Sequence, residues 1–206
     1  MKHQRDDQPE NTSETIIDVS AHISHEIVDG AKDRASELIH LPLMVSKFIS
    51  NPVRFIKTCP DLKTPTWVAL AVSTGILGAA TNALIHQSAI RFFIALLILP
   101  LGAFLAVFAT TSILKLVFRG AHGLRFRYRS GASIFAFANL FWWIPLGAGE
   151  KIPALSLIGF FLALMIAGVG FVEKLRLPRT LVFRWFSLLA FAHIILWSVG
   201  RYFSAP

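Results

Sequence analysis

A chain of 206 residues that is 54% hydrophobic and only 16% charged, with a mean hydropathy of +0.60, lies outside the composition of soluble domains. Its formal net charge of +8 would suggest nucleic acid in a soluble protein. Here, however, the bases gather at the ends of apolar runs, as on the inner face of a membrane protein, so nucleic acid is excluded as a partner, and the single cysteine, Cys59, excludes an internal disulfide and the usual zinc spacings.

The charge is uneven along the chain. Residues 1–37 carry nine of the twelve acids against four bases, a head of net −5 before a remainder of net +13. The first thirty residues are polar and acidic, with no basic-then-apolar stretch, so no cleavable signal peptide is expected. Neither Met1-Lys2 nor the final Ser-Ala-Pro is a lipidation signal. Residues 1–40 read as a cytoplasmic tail. Within it, 14–39 is expected to form an amphipathic helix, because Ile16, Val19, Ile23, Ile27, Ala31 and Leu38 fall on one face at helical spacing. Asn11 and Glu14 supply a capping signal, and Glu14 and Asp18 suit a helix N-terminus. The opposite face holds Asp18, Asp29 and Asp33, which an anionic membrane surface would repel. The apolar stripe (Ile16, Val19, Ile23, Ile27 and Leu38) is therefore a candidate docking face for a protein partner or a second copy. Gly30 and Arg34 interrupt it and weaken the helix in isolation.

Residues 41–66 differ in kind. Met44, Val45, Phe48, Ile49, Val53, Phe55 and Ile56 alternate with Lys47, Arg54 and Lys57 around Asn51-Pro52. A basic amphipathic stretch before a first span predicts an interfacial segment on the inner leaflet, divided in two by Pro52.

Five transmembrane helices are expected over 67–203: 67–85, 92–114, 131–149, 152–172 and 181–200. The first four runs are uncharged and each is close to the ~20 residues that cross a ~30 Å hydrocarbon core. The fifth contains Arg184 near its start, where an arginine snorkels to the interface. Thirteen bases lie before the first span, between spans two and three, and around the start of span five, whereas the opposite side holds three: Arg91, Lys151 and Arg201. That asymmetry puts the N-terminus in the cytoplasm and the C-terminus outside. Trp67 and Trp185 would mark the inner interface, and Trp142, Trp143, Trp197 and Tyr202 the outer one. The tight 147–153 turn makes spans three and four antiparallel neighbours.

Two small-residue stripes suit close helix packing: Ala71, Gly75, Ala79 and Ala83 on the first span, and Gly159, Ala163 and Ala167 on the fourth. They are expected to pack against each other, elsewhere in the bundle, or on a second subunit. Intramembrane polar residues are functional suspects by default. Here they are Asn82, Asn139 and His193, with His86 near the outer edge, and they either converge on a polar pocket or fix helix packing by hydrogen bonds. His86 and His193 lack the carboxylate or neighbouring ligand of a metal or haem site, and His22 and His25 read as solvated, so no cofactor is expected. Pro100 and Pro145 are expected to kink their helices. No span contains a carboxylate for ion coupling, and no nucleophile triad, paired carboxylate or phosphate loop appears, so the protein is not expected to be an enzyme. Lys115, Arg119, Arg125, Arg127 and Arg129 form the densest basic site, a positive-inside signal or an anionic lipid headgroup site.

Three features together carry a family likeness: Asn51-Pro52-Val53-Arg54-Phe55 before the first span, a basic loop opening into the Pro-ended run from Phe135 to Pro145, and a long polar tail. Over residues 47–203 the chain resembles the Yip1 family of five-span membrane proteins. That resemblance implies Golgi or endoplasmic reticulum membranes and association with Rab GTPases and with one another in eukaryotes, and the cytoplasmic (inner) membrane in bacteria. The tail lacks the Asp-Leu-Tyr-Gly-Pro and Gly-Tyr patterns of the eukaryotic branch, which points to the bacterial one. The expectation is thus an all-α integral membrane protein that contacts lipid and acts as a scaffold or interaction partner, self-associating through the tail or the small-residue faces. The alternative is an oligomeric channel or carrier for a small molecule, based on Asn82, Asn139, His193 and the two prolines.

Overall fold

The structure is a computed structural model, and its description covers residues 36–149 and 151–204, with side chains described to Val199. Ile16, Val19, Ile23 and Ile27 of the candidate docking stripe lie outside the described residues. Leu38 is described, helical and exposed. The chain divides between Ile39 and His40, and the account that follows concerns the second unit.

Every described element is helical. Helix α1 covers 36–50; then come α2 (Pro52–Thr58), α3 (Thr64–His86), α4 (Ala89–His122), α5 (Tyr128–Ala138), α6 (Leu140–Ala148), α7 (Pro153–Glu173) and α8 (Arg179–Ser204). Five stretches are long and apolar enough to cross a membrane: α3, α4, α5 with α6, α7, and α8 over Arg179–Val199. The all-α, five-span expectation holds.

The division of the segment before the first span has the expected cause. Pro52 takes the first turn of α2, where its missing N–H is not needed, and the Asn51 side chain caps that helix by accepting from the Arg54 amide at 3.0 Å. Its apolar residues do not all lie on the leaflet. Phe48 and Ile56 are fully buried, and Phe48 meets Phe55, Phe137 and Phe141 at ring separations of 5.3 to 5.7 Å. The segment is stapled to the bundle, leaving Leu43, Ile49 and Val53 exposed.

Helix α4 overruns its apolar stretch. At 34 residues it is about 51 Å long, against a ~30 Å core, so Lys115 and Arg119 sit on a helical extension rather than in a loop. Hydropathy ends at Lys115, but helical propensity continues until Gly123. There the backbone turns left-handed (φ 64°), with the Leu124 amide bonded to the Phe118 carbonyl at 2.9 Å. Helix α4 runs unbroken through Pro100, and the interruption in the third span falls at Asn139 rather than at Pro145.

The third span is the bundle's centre. Residues 130–140 are all buried, and its small residues Gly131, Ala132, Ser133, Ala136 and Ala138 let neighbours close in. Helix α3 packs on α4 and α6, α7 packs on α5 and α6, and α8 packs mainly on α7. Near one end, Phe171 meets Phe118, Phe126, Phe135 and Phe186 in tilted or edge-to-face contacts at centroid distances of 5.3 to 6.3 Å.

The two small stripes do not seam together. A Cβ on Gly75 would collide with the Pro100 backbone of α4, and one on Gly159 with the Phe141 carbonyl and the Pro145 ring of α6. Ala71, Ala79 and Ala167 are fully buried, Ala163 nearly so, and Ala83 half-buried. The stripe of α3 faces α4 and α6, and that of α7 faces the third span. Proline explains the second contact: Pro145 cannot donate to the Phe141 carbonyl, and that carbonyl lies against Gly159. Two tryptophans also depart from the belt expectation. Trp67 and Trp143 are buried inside the bundle, 3% and 6% exposed, Trp67 stacking on Phe104 at 5.9 Å.

Candidate functional site

Of the three intramembrane polar residues, two converge and one does not. Asn82 is committed to packing: its amide donates to the Gly147 carbonyl at 3.2 Å, which ties the C-terminal part of α3 to the end of α6. Asn139 and His193 line a single cavity of about 210 Å³ with Ala106 and Thr110 of α4, Phe135 and Trp142 of the third span, Phe160, Ala163 and Leu164 of α7, and Leu189, Ala192 and Leu196 of α8.

The third span places Asn139 there. The helix breaks at this residue between α5 and α6, and Asn139 is only 5% exposed. Its main chain is satisfied, its N–H donating to Phe135 and its carbonyl accepting from Trp143, both at 2.9 Å. Its side-chain amide, with two N–H donors, borders the cavity. His193 is held as a plate: it stacks on Phe160 with centroids 3.7 Å apart and meets the Trp142 ring edge-on at 5.3 Å. The Trp142 indole N–H is also buried with no acceptor. No Asp, Glu, Lys or Arg lines the cavity. His86 lies away from it, hydrogen-bonded to Arg91 at 3.0 Å. Among the described residues no group of three or more His, Cys, Asp or Glu could hold a metal ion. The arrangement suits uncharged hydrogen bonding within an apolar, aromatic enclosure.

A second constellation, at the other end of the bundle, was not foreseen. Asp61, in the loop before α3, pairs with Lys174 at 2.6 Å and accepts from the Ser130 hydroxyl at 2.7 Å. Lys174 also reaches the Cys59 sulfur at 3.5 Å, and Ser133 accepts from the Leu62 amide at 2.8 Å. Partial burial alone would raise the Asp61 carboxyl. The hydrogen bonds from Lys174 and Ser130, with the charges of Lys174 and Arg127, outweigh it and hold Asp61 below its ordinary value. Burial pushes the Cys59 thiol up despite Lys174. Asp61 is the lone carboxylate of the basic segment 41–66, and that solitude was the signal available in the sequence.

The residues of the predicted headgroup site have the following surroundings. Lys115 lies 5.7 Å from the Tyr128 ring centre and Arg127 acts on Asp61, while Arg119, Arg125 and Arg129 are exposed.

Fold and cavity together describe a multi-pass membrane protein with an uncharged, mainly apolar chamber among its helices that a few polar groups border. No family model matches the chain, and no curated protein or solved structure matches it. The likeness to Yip1 proteins therefore rests on the five spans and on the sequence features that suggested it.

Proposed function

We propose that this protein is a non-enzymatic membrane protein that binds a small uncharged molecule in the chamber between α4, the third span, α7 and α8. The observation that carries this reading is the convergence of the buried Asn139 amide, His193 and the acceptor-free indole N–H of Trp142 on one uncharged cavity. A buried N–H without an acceptor, as at Trp142, costs roughly 1–3 kcal/mol, and a ligand acceptor recovers it. The reading corresponds to the carrier or channel alternative, stripped of Asn82. The test is to purify the full chain in mild detergent beside Ala192→Phe, which narrows the cavity from an exposed position on α8. Solvent extraction and mass spectrometry are expected to recover a small molecule from the first and not from the second. Equal recovery, or none from either, would overturn the reading.

The Yip1-like scaffold reading is supported by a different feature, the acidic amphipathic tail over 14–39 on an otherwise basic chain. It places the protein in a bacterial cytoplasmic membrane, with the tail as docking element for a partner. The small-residue stripes are used within the bundle, so self-association would fall to the tail. Removing residues 1–40 is then expected to abolish partner capture and spare membrane insertion. Capture unchanged by the deletion would remove the tail from the reading.

A further inference from the structure

The chamber's shape and chemistry restrict its occupant, if the reading of it as a ligand site holds. About 150 Å³ suffices for a benzene molecule, so some 210 Å³ accommodates a six-membered ring with oxygen substituents. The walls carry aromatic faces at Phe135, Trp142 and Phe160 and no formal charge, so a charged headgroup would enter without a counter-ion. The wall offers N–H donors: the Trp142 indole, buried without an acceptor, and the side-chain amide of Asn139. His193 adds a ring nitrogen, and Thr110 a hydroxyl. An occupant must therefore bring acceptors.

The mouth is also defined. Leu196 lines the cavity yet is 71% exposed, and Ala192 one turn before it is likewise exposed. Helix α8 packs mainly on α7 and α4 mainly on α3 and α5, so the chamber opens between α4 and α8. Both helices are among the spans, and an opening between two spans at this level faces acyl chains, not water.

We propose that the chamber binds the ring of a quinone-type lipid: an uncharged planar headgroup with two carbonyl acceptors, one of them taken by Asn139, whose isoprenoid or alkyl chain leaves between α4 and α8 into the bilayer. The mouth explains how such a ligand arrives, and the absence of charge explains why a phospholipid headgroup does not compete. The tail of the ligand lies on the apolar surface that Leu189, Ala192 and Leu196 already present.

The test uses the full chain in lipid nanodiscs and three probes of matched chain length: a decyl-substituted benzoquinone, decylbenzene, and 4-decylbenzoate. Saturable retention above empty nanodiscs is quantified by mass spectrometry. The quinone alone is expected to bind, with affinity falling about tenfold in Asn139→Leu and lost in Ala192→Phe. Should Asn139→Leu fail to insert, His193→Phe keeps the ring shape, removes its nitrogens, and is expected to weaken quinone in the same direction. Decylbenzene binding as well as quinone would leave the cavity a ligand site and overturn the quinone assignment, as would preference for the benzoate. Quinone binding unaffected by either polar variant would overturn the role given to Asn139. No saturable binding of any probe, with Ala192→Phe also without effect on co-purified material, would overturn the ligand-site reading itself.

Discussion

At the scale of single residues, the Asp61 cluster is the most constrained chemistry outside the chamber. The carboxylate is bonded to Lys174 and Ser130, and its proton affinity is lowered in the folded protein. A lowered acid contributes stability that is complete above its ordinary value of 3.8 and is lost as pH falls through the lowered folded value. Because the Asp61 side chain is 36% exposed, water screens the pair, and its removal costs about 1 kcal/mol or less. Asp61→Asn is therefore expected to melt below the parent at pH 7 and to converge with it towards pH 3. Thermal unfolding in nonionic detergent across that range checks this, and a constant offset at every pH would show that the carboxylate's charge is not the cause. No spacing pattern ties Asp61 to its partners, because Ser130 and Lys174 lie 69 and 113 positions away. Asn139 was legible because any amide inside an apolar run stands out, and its pairing with His193 was legible only as one of several convergences. Asn82 sits at a similar polar position, but its acceptor, a backbone carbonyl on another helix, is invisible to side-chain reading.

At the scale of elements, the spans were legible because burial in hydrocarbon demands long uncharged runs, and their ends agree closely except at α4. That exception is physical: apolarity stops where the lipid stops, whereas a helix stops where its capping does, at Gly123. Small-residue periodicity revealed which faces are close-packed but not their partners, since glycine accepts any backbone. The partner of Gly75 is the α4 backbone at Pro100. The proline already lacks an N–H there, and α4 presents the backbone of Leu99 and Pro100 to α3. Gly75→Val would drive two methyls and a Cβ into that contact, and overpacking of this kind costs about 3 kcal/mol. The variant is expected to unfold at distinctly lower SDS mole fraction than the parent, and Ser73→Val, on the exposed face of the same helix, is expected to change little. Equal effects at the two positions would mean that the α3–α4 contact is not where the cost arises. Trp67 and Trp143 depart from the belt for a related reason: an aromatic belt is a statistical tendency of interfaces, and the same large side chain fills core space beside glycine-lined helices, as Trp143 does against Gly102.

At the scale of the whole molecule, the contacts sort the connecting segments into two ends. Asp61 meets Ser130 and Lys174, Lys57 lies 3.8 Å from Glu173, and the Trp185 indole donates to His122 at 3.4 Å. At the opposite end, the Lys151 ammonium donates to the Ile85 carbonyl at 2.7 Å and Arg91 meets His86. The three basic regions of the sequence thus share one end of the bundle, and the sparse bases Arg91 and Lys151 share the other. Geometry fixes which segments are together; only charge says which end faces the cytoplasm. Thirteen bases against three favour the end carrying Asp61, because translocating lysine and arginine is disfavoured. With Cys59 replaced by serine, leaving no other thiol in the chain, single cysteines at exposed Gln87 and exposed Arg125 report the two ends. A membrane-impermeant maleimide added to intact cells is expected to label Gln87→Cys at once and Arg125→Cys only after permeabilisation. The reverse pattern would invert the molecule, place the acidic tail outside, and remove the cytoplasmic docking role proposed for it. The chamber between α4 and α8 would survive that inversion, since its ligand enters from the bilayer and meets no charged residue whichever way the bundle stands.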